Sequence, residues 1–207
     1  METDKTINDI KEGAIGPWER LTKALAEQMA LEASKSDEAA DAGRLALAIR
    51  GLAGQFGLNS LDMSARSDAW AVLSSVADAS RNRLLSSAAK RTTLSLSAHF
   101  EADDNGKYRF INNRIMIAHP TMGNSEFLIT AASAIRFLID ELGLDLDWTP
   151  KILEGPPEFG PAVVLDAGPD PNHVIESLQI RFLKRNRDGD LAVFHPQNWQ
   201  LELKTTG

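Results

Sequence analysis

The stretch TLSLSAHFEADDNGKYRFINNRIMIAH, residues Thr93 to His119, decides how we interpret this chain. Asn105-Gly106 near its centre is a strong signal for a two-residue hairpin turn, and apolar and polar residues alternate on both sides of it. In the register that this turn predicts, Leu94, Leu96, Ala98 and Phe100 lie opposite Ile117, Ile115, Asn113 and Ile111. Because side chains alternate between the two faces of a strand, the aliphatic residues of both strands share one face.

The other face of the predicted hairpin is polar. It consists of Ser95, Ser97, His99 and Glu101, opposite Met116, Arg114, Asn112 and Phe110. His99 and Arg114 are diagonal neighbours in this register, and with Glu101 they form a candidate polar site. We expect this face to be exposed to solvent.

The composition is that of an ordinary soluble globular protein. The chain has 207 residues, of which 43% are hydrophobic and 25% charged, with a net charge of -7 and no cysteine. The negative charge disfavours nucleic acid and anionic membranes as partners. The missing cysteines exclude disulfides and thiolate metal sites, and no apolar run reaches the roughly 18 residues of a membrane-spanning helix. Without the apolar block of a signal peptide at its N-terminus, the sequence predicts a cytoplasmic protein.

The first ninety residues read as helices. Trp18, Leu21 and Leu25 repeat at helical spacing, and Ser67 is placed as the N-cap of a later helix that turns Trp70 and Leu73 inward. We therefore divide the chain into a helical region, residues 1–90, and a sheet region, residues 91–207, which together could also be one continuous domain.

A second apolar segment follows the hairpin. Ser125 to Leu142 is apolar on most sides, which predicts a buried helix that covers the sheet and ends at Gly143. Residues 143–173 are rich in proline and glycine and predict a long loop, pinned by prolines or wrapping an edge, with a short strand at 162–165. Alternation from Val174 to Arg185 and a turn at Asp188-Gly189 predict another hairpin. The expected fold is α+β: helices, then an antiparallel sheet in the order ββ–α–loop–βββ.

The second hairpin is basic on a chain that is otherwise acidic. Its tip and polar side carry Arg181, Lys184, Arg185 and Arg187, which we take as candidate partner-binding residues. The alternative is that these charges only prevent edge-to-edge aggregation of the sheet, a routine use of basic residues.

One segment suggests an enzyme. Arg114-Ile-Met-Ile-Ala-His119, followed by a proline and an apolar helix, resembles the arginine-histidine motif of HEPN-type ribonucleases. The resemblance implies that Arg114 and His119 act on an RNA phosphate near a helix end in a dimer, in a toxin or phage-defence setting. The position after the arginine is commonly polar in that family, whereas here it is Ile115. A helix at residues 107–119 would favour this function, and a strand would disfavour it.

Two further patterns involve carboxylates. Asp190 with Glu202-Leu203-Lys204 resembles the PD-(D/E)xK nuclease pattern, which implies a divalent metal held by the two carboxylates. Asp140, Glu141, Asp145 and Asp147 form an acidic cluster without the spacing of a calcium loop. We expect no metal site and, because no glycine-rich phosphate loop or dinucleotide fingerprint is present, no cofactor.

The residues favour a non-enzymatic cytosolic protein that binds another protein, in an accessory or chaperone-like role. Homodimerisation through the N-terminal helices or a sheet edge is compatible with this interpretation. The alternative is the HEPN-like ribonuclease that uses Arg114 and His119.

Overall fold

A computed structural model of the chain describes residues 2–27, 32–81 and 91–205. Its helices are α1 (Glu2–Ile10), α2 (Gly16–Glu27), α3 (Glu32–Gln55), α4 (Ser60–Arg66), α5 (Asp68–Arg81), α6 (Phe127–Glu141) and α7 (Pro171–Ser177), with a π-helical turn, Lys11–Ile15, between α1 and α2. Its strands are β1 (Thr93–Ala102), β2 (Tyr108–His119), β3 (Gly123–Glu126), β4 (Val163–Asp166), β5 (Gln179–Arg185), β6 (Leu191–Phe194) and β7 (Leu201–Lys204). Within the described part of the chain, no helix has both the length and the apolar character needed to cross a bilayer.

The α+β prediction is confirmed, but the sheet is mixed. Five strands pair in the order β3-β2-β1-β5-β6, and β4 and β7 form a separate two-stranded sheet. The expectation of a purely antiparallel sheet was wrong, since β5 runs parallel to β1 and β7 runs parallel to β4. Parallel neighbours need a long crossover connection, which the chain between β1 and β5 supplies. Alternation within a strand does not reveal the direction of a partner so far along the chain.

The first hairpin turn has one residue more than predicted. The Asp103 N–H donates to the Lys107 carbonyl (2.9 Å) and the Gly106 N–H to the Asp103 carbonyl (3.4 Å), so the loop has three residues. A two-residue type I′ turn needs positive φ at Asn105 as well as Gly106. Among the described residues only glycines have positive φ, with Gly106 at 74°. The Asp103 carboxylate stabilises the loop by accepting the N–H groups of Asn105 and Lys107, both at 2.8 Å.

The longer loop changes the partners near the turn. The rings of Phe100 and Phe110 lie 5.6 Å apart, and Arg109 contacts Glu101. The predicted register had instead placed Ile111 opposite Phe100 and Phe110 opposite Glu101. A one-residue slip exchanges the two faces of a strand. Near the turn, Arg109 therefore lies on the polar side of β2 with Glu101, and Phe110 lies on the apolar side with Phe100.

The second hairpin uses the same kind of loop. Arg185 pairs with Leu191, and Gly189 has a φ of 90°. The Asn186 side chain accepts the N–H groups of Asp188 (3.0 Å) and Asp190 (2.8 Å), as Asp103 does in the first hairpin. The predicted turn is therefore present here too, again with three loop residues.

Two local predictions near the turns need correction. The segment from Val174 was predicted as strand, but α7 occupies its first part because Asp170 caps the N–H groups of Asn172 and His173 (both 3.2 Å) and Pro171 suits a first helical turn. The turn expected after His119 contains a short additional strand, β3, which pairs with the end of β2.

The chain forms two compact units that interleave along the sequence. The helical unit consists of residues 1–22, 39–94 and 115–152, and the sheet unit consists of residues 23–38, 95–114 and 153–207. The predicted domain boundary near residue 90 lies outside the described residues, and that division stays a prediction.

The helical unit is built around α6, which confirms the predicted buried helix. Nine of the 15 residues of α6 are buried, and Gly143 follows its end with a φ of 61°. The α5 residue Trp70 is fully buried, with its ring 6.4 Å from that of Phe137. The Trp18 indole N–H donates to the Leu128 carbonyl (2.9 Å), which fixes the start of α6. Each large side chain buried here contributes roughly 1.5–3 kcal/mol.

The sheet unit has one aromatic face. In β5, the ring of Phe182 lies 6.1 Å from Phe100, 5.2 Å from Tyr108 and 5.2 Å from Trp199. Phe110 extends this cluster through Phe100. We call these five residues the aromatic face, of which all but the exposed Trp199 are buried in the core of this unit.

A segment that we call the strap, residues 153–160, runs beside β2. The Asn112 amide donates to the Leu153 carbonyl (3.1 Å), and the Gly155 N–H donates to the Ile111 carbonyl (2.5 Å). Tyr108 and Gly160 exchange two hydrogen bonds of 2.7 Å each. The predicted proline-rich loop therefore wraps a strand, one of the two forms expected for it.

Gly155 allows the strap to approach β2 closely. A Cβ atom at this position would lie 3.0 Å from Phe110 Cδ1 and 3.1 Å from each of two backbone oxygens. We expect Gly155→Ala to lower the free energy of unfolding by about 1–3 kcal/mol, because backbone atoms cannot move aside easily. Chemical denaturation measures the change.

Gly51→Ala is the matched control for this prediction. Gly51 lies in α3 with no atom within 4 Å of an added Cβ, so alanine should raise stability by up to about 1 kcal/mol. Equal effects of the two substitutions would contradict the close approach of the strap.

Candidate functional site

The polar face of the sheet unit collects most of the site residues predicted from the sequence. Ser97, His99 and Glu101 alternate along β1 and therefore share a face. The parallel register of β1 and β5 places Arg181 directly opposite His99. Arg114 of β2 lies close enough to His99 to affect its charge. His99, Glu101 and Arg181 thus share this face, and the grouping of His99 and Glu101 with Arg114 stays a prediction.

The centre of this face is buried, so the expectation of a solvated face was wrong. His99 is only 6% exposed, and among the described residues neither of its ring nitrogens has a hydrogen-bond partner. The neighbouring Ser97 hydroxyl is also buried, again with no partner in the described part of the chain. Alternation in a sequence does not show how far side chains of neighbouring strands shield a polar residue, and β1 is flanked by β2 and β5.

The environment of His99 keeps its ring neutral. Burial, with smaller contributions from the positive charges of Arg114 and Arg181, lowers its pKa from 6.5 to about 3. A neutral imidazole cannot form an ion pair with an acidic group. His99 is therefore a buried, uncharged ring next to Arg181 on the neighbouring strand.

Glu101 is the centre of an ion-pair network on the same face. Its carboxylate accepts hydrogen bonds from Arg109 Nε (2.8 Å) and Arg185 Nε (3.1 Å). Arg109 also contacts Glu154 of the strap at 2.6 Å. Burial raises the pKa of Glu101, but the hydrogen bonds and charges of Arg185 and Arg109 outweigh it, so the net shift is downward. The side chains of Glu101 and Arg109 are only 8% and 9% exposed.

The network includes two residues that the sequence alone did not identify, Arg109 and Glu154. Arg109 lies between Tyr108 and Phe110 on a strand, and a cation in such a position needs a buried carboxylate as a partner. Glu101 is such a carboxylate on the neighbouring strand. The predicted two-residue turn, however, placed Arg109 and Glu101 on opposite faces of the hairpin.

The structure separates the four candidate partner-binding residues. Arg181 and Arg187 are exposed, and within the described part of the chain neither forms an ion pair. Arg185 is bound to Glu101, with 41% of its side chain still exposed. Lys184 alternates to the other face, where it contacts Asp104 (2.8 Å) and the Phe194 ring. We call Arg181, Arg185 and Arg187 the basic row.

The two residues of the ribonuclease-like motif lie on a strand. Residues 108–119 form β2, so no helix end is available to hold Arg114 and His119 as the resemblance implies. Arg114 donates to the Asn112 side chain (3.3 Å). His119 Nδ1 accepts the backbone N–H groups of Thr121 (3.3 Å) and Met122 (3.1 Å), which stabilises the turn into β3.

The carboxylate patterns also have local structural partners. Asp190 closes the second hairpin loop, and Glu202 and Lys204 are exposed on β7. In the acidic cluster, Glu141 binds the Arg66 guanidinium through two hydrogen bonds of 2.8 and 2.5 Å. Among the residues that the structure describes, no three histidine or acidic side chains are grouped closely enough to hold a metal ion.

Comparisons with known proteins do not extend this description. The chain matches no protein-family model, no curated protein and no solved structure at a significant level.

The ion-pair network predicts a strong effect of neutralising Glu101. Glu101→Gln leaves the buried Arg109 without its inner carboxylate, so we expect the free energy of unfolding to fall by about 3 kcal/mol. Urea denaturation at neutral pH measures the loss. Glu154→Gln is the control: Glu154 also binds Arg109, but its side chain is 44% exposed, and we expect a loss below about 1 kcal/mol. Equal losses would contradict the central role of Glu101.

The lowered pKa of His99 predicts a pH-dependent stability. Unfolded chains bind a proton at this residue below pH 6.5, whereas the folded state does so only near pH 3, so stability should fall as the pH drops through this window. Between pH 7 and pH 5 the contribution reaches about 2 kcal/mol. His99→Gln should remove this part of the pH dependence, as measured by urea denaturation at several pH values. The same substitution at the exposed His195 is the control, and an unchanged slope in His99→Gln would refute the assignment.

Proposed function

We propose that this chain is a cytosolic, non-enzymatic protein that binds an acidic surface of a partner protein through the basic row. The observation behind the proposal is the state of Arg181 and Arg187. Both are exposed, and among the described residues neither is neutralised by an ion pair, whereas Lys184 and Arg185 each have a carboxylate partner.

The position of Arg181 supports a binding role. It lies on β5, a strand paired on both sides, and its guanidinium donates a hydrogen bond to the Gln179 side chain at 3.4 Å. A strand residue held in register loses little freedom when it binds, because its backbone is already fixed. Arginine also presents several donors in a planar group that suits carboxylates.

The surrounding charges support an acidic partner. The chain has a net charge of -7, so a local row of arginines differs in sign from most of the surface. Such a contrast orients an acidic partner toward the row and disfavours approach elsewhere. Neutral His99 adds no charge of its own, and Glu101 is already engaged by two arginines.

A ribonuclease remains the competing proposal, and no observation here favours it. Its motif lies on a strand, and the His119 Nδ1 atom is engaged by backbone N–H groups. The binding proposal accounts for the basic residues without requiring a catalytic group.

The proposal predicts that reversing two charges of the row abolishes partner capture. Arg181→Glu with Arg187→Glu should reduce recovery of a specific partner from cells of the source organism by at least about tenfold. Quantitative affinity purification at low and moderate salt measures this, and capture by the wild type should weaken as salt rises. Circular dichroism verifies that the variants fold.

Lys184→Glu provides the matched control, since it reverses a charge on the same strand but on the opposite face. It should retain the partner, because the exposed pair with Asp104 contributes little to stability. A partner that is kept by the double variant, or lost equally with Lys184→Glu, would overturn the proposal.

A further inference from the structure

The strap forms an arch over the aromatic face. It is bonded to β2 at Gly155 and again at Gly160, and the four residues between these points, 156–159, stand opposite only Arg109 and Phe110. Four residues of the strap cannot pair one to one with two residues of β2, so this part of the strap must bulge away from the strand. Pro156 and Pro157 restrict the backbone of the bulge and help to keep it in place.

A cavity of about 230 Å³ lies beneath the arch. Phe100, Tyr108 and Phe110 line it from the aromatic face, and Phe159 lines it from the arch. Sites for drug-sized molecules have roughly 300–1,000 Å³, so this cavity suits a smaller molecule. A single aromatic ring with a short arm fits both the volume and the four rings that would surround it.

The charges at the cavity favour a cation. Arg109 also lines the cavity, but its charge is matched by Glu101 and Glu154, and its guanidinium lies 5.8 Å from the centre of the Phe159 ring. Glu158 also lines the cavity and is exposed, and within the described part of the chain it forms no ion pair. Its carboxylate is therefore available to the charged arm of a ligand. The faces of aromatic rings attract cations as well.

The geometry points to a binding site under the arch for a small arylalkylamine, a molecule with one aromatic ring and a protonated amine. The ring contacts the aromatic face and Phe159, and the ammonium group contacts the Glu158 carboxylate. This site is separate from the basic row and does not depend on the function proposed for it.

Tyr108 gives a direct measurement, because it is the only tyrosine in the chain. With tyrosine carrying ¹³C at Cζ alone, the NMR spectrum of the full chain contains one tyrosine signal, which reports on the cavity. Phenethylammonium should shift this signal and saturate it at millimolar concentrations. 3-Phenylpropionate, which has a similar ring and arm but a negative charge, should bind at least about fivefold more weakly.

Two variants identify the contacts. Glu158→Gln should weaken phenethylammonium binding by about fivefold, as expected for the loss of a partly exposed ion pair, while leaving 3-phenylpropionate unaffected or slightly favoured. Phe159→Ala should weaken both compounds, because it removes a ring from the cavity. Glu176→Gln, at an exposed position on α7 that does not line the cavity, is the control and should bind like the wild type.

Several results would overturn the proposal. One is the absence of a saturable shift of the Tyr108 signal with phenethylammonium. Another is equal or tighter binding of 3-phenylpropionate, which would show that the site does not select a cation. An affinity for phenethylammonium that Glu158→Gln leaves unchanged would have the same meaning. The Glu158 substitution is on the surface, so this test remains valid even if Phe159→Ala fails to fold.

Discussion

The sheet unit depends on one buried carboxylate. Glu101 lies on the central strand β1 and binds Arg109 of β2 and Arg185 of β5, so a single side chain connects three adjacent strands. Taking a carboxylate and a guanidinium out of water is unfavourable unless each is matched by hydrogen bonds. The network meets this requirement with two arginines and a second carboxylate, Glu154, which also attaches the strap. Strand order and strap position are therefore linked to the same charges.

This network also shapes the surface available for binding. Because Glu101 engages Arg185 and Lys184 contacts Asp104 on the other face, Arg181 and Arg187 are the two of these four cations that form no ion pair among the described residues. The Arg109 guanidinium that binds Glu101 also lies 5.8 Å from the centre of the Phe159 ring and so contacts the arch. One set of ion pairs thus borders both the basic row and the aromatic cavity.

The sequence predicted much of the local structure for clear reasons. Dense apolar residues at helical spacing gave α6, and Gly143 gave its end. The Asn105-Gly106 and Asp188-Gly189 pairs predicted both hairpins. The loops are one residue longer than predicted, because among the described residues only glycine adopts positive φ. The extra residue in the first loop decides on which side of the sheet Arg109 lies near the turn. The amino-acid composition of the hairpin does not predict this extra residue.

For the candidate site, the sequence alone pointed to the histidine and glutamate of β1, to Arg114 of β2 and to the basic residues around β5, but not to Arg109 or Glu154. Strand alternation was enough to group His99 with Glu101, since both lie on one strand. Only the tertiary structure decided that this face is buried and that β5 runs parallel to β1 with Arg181 opposite His99. It also placed the strap over the aromatic face. The physical reason is that burial and strand direction depend on contacts between residues far apart in the chain, which local periodicity does not encode.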